Sequence, residues 1–351
     1  MYLRVPPLRC RYGAHLSKEQ VAQLVAPHPD TLELVYSWLE HHDVPSSSIS
    51  TNRTHGDSWL TVTSVPVSKA NKLLGASYQL YQRTGTNDTT ILRTIGYALP
   101  AVLHPHVKTV VPTTFFGSTR TLSQTPRRRS VGETADVASR ELPAALSSRD
   151  NGIVPSALRS LYRTVLYEPA AIDRNVLGVA GFLKSYPSPD DLRTFMTKYR
   201  TDAVDANYKV TPINGGGYDP EHPDAEANLN MQYAQAMAFP TPHIFYSVGK
   251  WTKASTKTKK PVRGDAFLEW VNYLKRQPTV PQTLSIPYGG FEKDFPPEYA
   301  DALCSLFAEL GTRGVSIIFP SGDEGVGEGD CKASDGSGRV QFIPEFPASC
   351  M

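Results

Sequence analysis

The chain has 351 residues, which is enough for two domains with substantial cores. Its 36 basic and 34 acidic side chains leave a net charge of +2, so the composition gives no reason to expect a nucleic-acid or membrane-surface partner. No apolar run reaches the ~18 residues of a membrane helix. Met1 is followed by Tyr-Leu-Arg-Val-Pro-Pro, which lacks the apolar core of a secretory signal.

The first part of the chain mixes short helices with strands. Ser17-Lys-Glu-Gln20 is a capping box that predicts a helix start, and a second helix is expected over about 29–42. β-Branched or alternating stretches predict strands at 59–65, 90–99 and 106–111, whereas 68–80 has helical spacing. Because these elements do not follow a βαβ order, we predict a compact α+β domain over residues 1–117.

Residues 118–150 have the composition of a solvated linker, rich in Ser, Thr, Arg, Ala and Pro. The basic cluster Arg127, Arg128 and Arg129 is a candidate processing site, because cleavage between two domains falls in exposed linkers. An equally acceptable interpretation is a solvated basic cluster in a flexible segment.

Residues 151–351 alternate apolar strands with helices, which predicts a parallel sheet with helices on both faces. The expected strands are 176–182, 243–248, 282–286 and 314–319. The expected helices are 190–199, 224–237, 266–276 and 297–310, the last ended by Gly311.

Two acidic positions stand out in this second part. Glu226 and Asn230 lie four residues apart at the start of the 224–237 helix and so project from one helix face. Asp323 lies in Ser321-Gly-Asp-Glu-Gly325, directly after a predicted buried strand, where reactive groups gather in open α/β sheets. For isolated motifs, the alternatives are a surface pair on an amphipathic helix and an Asp that caps a turn.

Other features carry less information. The four cysteines are Cys10, Cys304, Cys331 and Cys350, and a Cys331–Cys350 disulfide would close a sterically reasonable loop. Asn52 and Asn87 begin glycosylation sequons, which matter only in the secretory pathway. The nine histidines show no metal-ligand spacing, and the glycine run at 215–217 lacks the dinucleotide fingerprint.

The chain resembles the sedolisin (serine-carboxyl peptidase) family, and in particular fungal tripeptidyl peptidase zymogens. The resemblance is carried by Tyr12-Gly-Ala-His-Leu-Ser-Lys-Glu, Trp59-Leu-Thr-Val and Tyr97-Ala-Leu-Pro100 in the first part. In the second part it is carried by Glu226-Ala-Asn-Leu, Ser321-Gly-Asp and Phe346-Pro-Ala-Ser-Cys350. It implies a ferredoxin-like propeptide domain that blocks the active site, followed by a subtilisin-like α/β catalytic domain.

The resemblance also implies roles for individual residues. Glu226 matches the general base, Asn230 stands where the family has a second acid, and Asp323 matches the protonated acid that stabilises the oxyanion. Asn230 can donate and accept hydrogen bonds but cannot ionise or hold a shared proton. Ser285-Ile-Pro-Tyr-Gly-Gly290 departs from the family's usual Ser-Tyr-Gly-Asp.

The nucleophilic serine of the family lies in a Gly-Thr-Ser motif, and this motif is absent from the 351 residues. The serine and an aspartate-rich calcium site are expected beyond Met351, and the start of the propeptide before Cys10. We therefore expect an incomplete catalytic domain, no cofactor held by this chain, and no turnover. By resemblance, the partners are peptide or protein substrates and the chain's own propeptide, with no nucleic acid or membrane, and the location is extracellular.

Two alternatives remain open at the level of sequence. The chain could be a non-catalytic protein whose propeptide-like domain binds and inhibits an intact relative. It could also be part of a longer product that extends past both Met1 and Met351. The sequence does not determine subsite specificity, residual activity, disulfide pairing or oligomeric state.

Overall fold

A computed structural model describes residues 13–50, 58–82, 90–116, 120–121, 153–249, 251–252, 262–263, 265–323, 331–333 and 336–350. The predicted processing site at Arg127, Arg128 and Arg129 lies outside these ranges, as do Cys10 and the sequon residues Asn52 and Asn87.

The described residues of the N-terminal part form three α-helices and four short strands. The helices are α1 (Lys18–Leu24), α2 (Pro29–His41) and α3 (Val67–Leu73). The strands are β1 (Ile49–Ser50), β2 (Thr61–Val62), β3 (Gln79–Tyr81) and β4 (Ile91–Arg93). β1 pairs with β2, and β3 with β4, both antiparallel. The predicted capping box is confirmed: the Ser17 hydroxyl accepts from Gln20 N at 3.2 Å, and Gln20 Oε1 accepts from Ser17 N at 2.8 Å.

From residue 120 onward, the part of the chain that the structure describes forms five α-helices and ten strands. The helices are α4 (Pro155–Leu161), α5 (Pro189–Tyr199), α6 (Ala225–Ala238), α7 (Ala266–Arg276) and α8 (Pro297–Thr312). The strands are β5 (Arg120–Thr121), β6 (Leu177–Gly181), β7 (Tyr208–Ile213), β8 (His243–Val248), β9 (Trp251–Thr252), β10 (Val262–Arg263), β11 (Thr283–Ser285), β12 (Tyr288–Phe291), β13 (Ser316–Ile318) and β14 (Glu345–Phe346).

Five strands form a parallel sheet in the order β13-β11-β6-β8-β7. The order reverses between β6 and β8, and loops at such a reversal separate to leave a crevice beyond the carboxyl ends of the strands. A smaller antiparallel sheet of β14, β12 and β5 adjoins this edge, because β12 begins three residues after β11. The predicted parallel sheet is therefore confirmed.

Side chains alternate between the two faces of the sheet. On one face, Val179 of β6 and Phe245 of β8 pack against Met231 of α6. On the other face, Ala180 and Tyr246, the next residues along each strand, join the core formed with α7 and α8. Because successive residues of a strand point to opposite faces, each central strand contributes side chains to the packing under both helical layers. The central strands are therefore apolar throughout.

The N-terminal part packs against α7 and α8. Phe115 stacks on Phe295 and Tyr299, with ring centroids 4.7 and 5.0 Å apart. Trp59 and Val111 also pack against the large core. At the far end of α8, Leu16 N donates to Thr312 O at 2.9 Å. Apolar stacking and backbone bonding therefore join the two parts of the chain.

Several predicted elements need correction. The strand expected at 106–111 is not formed, and only Thr61–Val62 and Ile91–Arg93 are strand within the two other predicted stretches. The helix expected over 68–80 ends at Leu73, because Gly75 takes a left-handed φ of +53° that ends the helix. α8 runs through Gly311 to Thr312, and the left-handed residue after it is Gly314 at φ +85°.

The predicted Cys331–Cys350 disulfide is wrong. Cys350 bonds instead to Cys304, on α8, with a Cα–Cα distance of 5.5 Å and 46 positions between them in sequence. The fold brings the C-terminal segment back onto α8, so the partner is set by packing rather than by the shorter spacing.

Candidate functional site

Glu226 lies in the first turn of α6, and its side chain is 7% exposed. The helix begins there because Asp224 caps it: one carboxylate oxygen, Oδ1, accepts from Glu226 N at 3.0 Å and from Ala227 N at 3.2 Å. A carboxylate in the first turn also interacts favourably with the positive end of the helix dipole. The fold thus buries an acid at the position that the sequence identifies as a general base.

Asn230 lies one turn further along α6 and is partly exposed. Its position four residues after Glu226, within one continuous helix, places both side chains on the same face as predicted. The two predicted residues are therefore neighbours, and the second of them is uncharged.

Tyr288 is a third member of the site, and it was not predicted from the sequence. Its ring is 1% exposed and stacks on Phe182 at 4.6 Å. Its hydroxyl donates to Phe182 O at 3.4 Å. Burial raises the pKa of Tyr288, and the negative charges of Glu226 and Asp224 raise it further. Tyr288 therefore stays a neutral hydroxyl beside these carboxylates.

Ser185 joins the same group from the turn after β6. Its side chain is 5% exposed, and its hydroxyl donates to Asp224 Oδ1 at 2.7 Å. The preceding residues, Leu183 and Lys184, have left-handed φ angles of +60° and +63°. Residues other than glycine rarely adopt this conformation.

Asp323 follows β13, at the opposite side of the sheet from β7, the strand that precedes α6. It is exposed, and Gly322 before it has a φ of +85° that only glycine adopts readily. Both predicted acids therefore lie beyond carboxyl ends of the parallel strands.

The loop after β7 closes one side of the crevice. A Cβ on Gly216 would overlap the carbonyl group of Ser247, at the end of β8. The Ser247 hydroxyl donates to Gly217 O at 2.5 Å. Gly216 is therefore needed for this close approach of two backbones.

Sequence analysis missed Asp224, Ser185 and Tyr288 as site residues. Asp224 carried a usable signal, since Asp is a preferred cap before an apolar helix. Tyr288 lies in Ser285-Ile-Pro-Tyr-Gly-Gly290, which was compared with the family's Ser-Tyr-Gly-Asp, but nothing local placed it in the site, because its contact spans 106 positions to Phe182. Ser185 had no signal, because its contact spans 39 positions to Asp224.

Within the described ranges, no three His, Cys, Asp or Glu side chains are arranged to hold a metal ion. In the same ranges, no helix combines the length and apolarity needed to cross a bilayer.

The described residues thus form an N-terminal α+β part docked on a parallel α/β part that carries a buried acid, Glu226. Residues 6–116 match the family model of the Pro-kumamolisin activation domain. The chain is 33% identical over 355 residues to "Probable tripeptidyl-peptidase SED2" of Trichophyton verrucosum (strain HKI 0517), and 33% identical over the same length to "Tripeptidyl-peptidase SED2" of Arthroderma otae (strain ATCC MYA-4605 / CBS 113480). The predicted resemblance to tripeptidyl peptidases of the sedolisin type is confirmed as a similarity to these homologues.

These alignments cover 98% of this chain and 58% of each relative. Among solved structures, the chain is similar to "Pseudomonas sedolisin (serine-carboxyl proteinase) complexed with two molecules of pseudo-iodotyrostatin". That match has a TM-score of 0.38 and 18% identity, and covers 56% of this chain and 51% of the other.

Proposed function

We propose that this chain is the propeptide and part of the catalytic domain of a sedolisin-type, tripeptidyl-peptidase-like serine peptidase. The observation that carries the proposal is the burial of Glu226 in the first turn of α6, at the crevice edge of the sheet, in a chain homologous to tripeptidyl-peptidases. The finer fold expectations, ferredoxin-like for the propeptide and subtilisin-like for the catalytic domain, are part of this proposal.

In the proposed reaction, the Glu226 carboxylate accepts the proton of a serine nucleophile as that serine attacks the scissile carbonyl. The protonated Asp323 carboxyl donates a hydrogen bond to the oxyanion that forms. Because this role needs a neutral acid, the proposed working pH is acidic. Tripeptides would be released from free N-termini of peptide or protein substrates.

We propose that the 351 residues alone do not turn over substrate. They contain no Gly-Thr-Ser motif to supply the nucleophile, and Asn230 cannot share a proton with Glu226. Calcium would be held by residues outside this chain, so no step described here is routed through it. The Cys304–Cys350 disulfide supports export, because such bonds persist in oxidising compartments.

The test is a chimera in which this chain is joined to the part of the SED2 relative that lies outside the match. We expect turnover of a tripeptide-amide substrate at about pH 4, and none from the unjoined chain. Glu226→Ala should lower kcat by at least ~100-fold, because a general base contributes about that much. Asn230→Asp should raise it. Turnover that survives Glu226→Ala would overturn the proposal.

A second candidate function is inhibition of an intact relative by the N-terminal part. It is favoured by the docking surface of Trp59, Val111 and Phe115, which packs against α7 and α8. If it is correct, the purified chain should inhibit the SED2 relative at micromolar concentration or below, and Phe115→Ala should abolish that inhibition. Full activity of the relative in excess chain would exclude this function.

A further inference from the structure

The Asp224 carboxylate is the centre of a small polar network at the start of α6. Its Oδ1 atom accepts three hydrogen bonds: from the Ser185 hydroxyl at 2.7 Å and from the backbone amides of Glu226 and Ala227 at 3.0 and 3.2 Å. Asp224 N also donates to Tyr186 O at 2.9 Å. Both the side chain and the backbone amide of Asp224 therefore bond the start of α6 to the segment that follows β6.

The turn after β6 is held in a costly conformation. Leu183 and Lys184 both have left-handed φ angles, which are unfavourable for residues other than glycine. The turn is closed by Ser185 N, which donates to Phe182 O at 3.1 Å. Its geometric result is to bring the Ser185 side chain, 5% exposed, to Asp224.

Tyr288 completes the network from β12. Its hydroxyl donates to Phe182 O, in the same turn, and lies within hydrogen-bonding reach of the Ser185 side chain. Three separate elements therefore converge on one point: the end of β6, the start of α6 and the start of β12. Glu226 is buried at this point, and the charges of Glu226 and Asp224 both act on Tyr288.

We propose that Ser185, Asp224 and Tyr288 form a clamp that fixes the first turn of α6, on which Glu226 lies, and that the Asp224 carboxylate adds a negative charge to that turn. This inference rests on the proposed role of Glu226 as general base. Asp224 would provide part of the electrostatic influence that Asn230 cannot, since a nearby like charge makes a carboxylate a stronger base. The three are positioning residues that act through Glu226.

The test is a titration of Glu226 in the full chain by NMR with 13C-labelled glutamate, with Glu226→Gln to assign the signal. Asp224→Asn keeps an oxygen acceptor and removes the charge, so it should lower the pKa of Glu226 by about one unit. Ser185→Ala should leave the fold intact and speed amide hydrogen exchange at Glu226 and Ala227 by about tenfold, since one tenfold change is 1.4 kcal/mol, the size of a hydrogen bond to a charged group.

Ser188→Ala is the matched control. Ser188 is also a buried serine, and it caps α5 through Asp191 N at 3.3 Å, but that hydrogen bond does not involve Asp224. It should cost stability without changing the titration of Glu226. An unchanged Glu226 pKa in folded Asp224→Asn would overturn the clamp. Because the titration needs no substrate, an inactive chimera would count against the proposed function and leave this result standing.

Discussion

His243 shows how a single buried side chain makes the fold sensitive to acid. It lies at the start of β8 and is 3% exposed. Burial lowers its pKa from the ordinary value of 6.5, although the hydrogen bond between its Nδ1 and the Thr241 carbonyl opposes the effect. Below about pH 6.5, the His243 imidazole is therefore protonated more readily in the unfolded chain than in the folded chain.

We accordingly expect His243 to lower the free energy of unfolding as pH drops from 7 to 5, against the raised pKa of the Asp265 and Glu269 carboxyls, and His243→Gln to remove its contribution. Urea unfolding at both pH values measures the difference. His41→Gln, at an exposed site at the end of α2, is the control and should keep the wild-type slope. Equal slopes in all three proteins would show that His243 does not contribute to acid sensitivity.

Gly216 is a second residue whose role is set by one contact. Gly216→Ala should destabilise the protein by several kcal/mol or prevent folding, because the new methyl group overlaps the backbone of Ser247. Gly311→Ala is the matched change, since a Cβ there meets no atom within 4 Å and the site is helical. It should stabilise by about 0.5–1 kcal/mol. Thermal unfolding of the two variants would separate these outcomes.

At the scale of elements, the Cys304–Cys350 disulfide fixes the C-terminal segment to α8. Cross-linking residues 46 positions apart removes about 4 kcal/mol of loop entropy from the unfolded chain. Cys304→Ser should lower the free energy of unfolding by about that amount. Cys331→Ser leaves the bridge in place and should have a smaller effect. If Cys331→Ser were the more damaging change, the observed pairing would be wrong.

The elements also show what sequence can and cannot predict. β8 and α7 were predicted to the residue, because each has a strong period and clear ends. β7 was missed because Lys209 and Pro212 interrupt its apolar pattern, which is tolerated since β7 is an edge strand. The strand predicted at 106–111 failed because β-branched residues need a partner strand.

In the candidate site too, local features could be predicted from the sequence and tertiary contacts could not. Glu226 and Asn230 could be predicted because their relation is local to one helix. Ser185 and Tyr288 reach the site only through tertiary contacts, and Ser185 does so through a turn that its sequence disfavours. Local propensity contains no information about such contacts, so the clamp could be found only in the folded molecule.

At the scale of the whole molecule, Phe115 connects the N-terminal part to the rest. Phe115→Ala removes its stacking on Phe295 and Tyr299 and should cost about 2–3 kcal/mol. Limited proteolysis should then release the N-terminal part more readily. Phe116→Ala is the neighbouring control, since Phe116 is 40% exposed and meets Tyr81 within the N-terminal part. Equal release of the N-terminal part from both variants would show that Phe115 does not hold it in place.

The large core takes in Trp59, Val111 and Phe115 from the N-terminal part together with side chains of α7 and α8. Residues on both sides of the 118–150 segment therefore share one hydrophobic core, although the composition changes there. Cooperativity should extend across it: calorimetry of the uncleaved chain should give one heat-absorption peak rather than two. Loss of the N-terminal part would therefore expose apolar surface of this core, so the rest of the chain would have to stay folded with that surface in water.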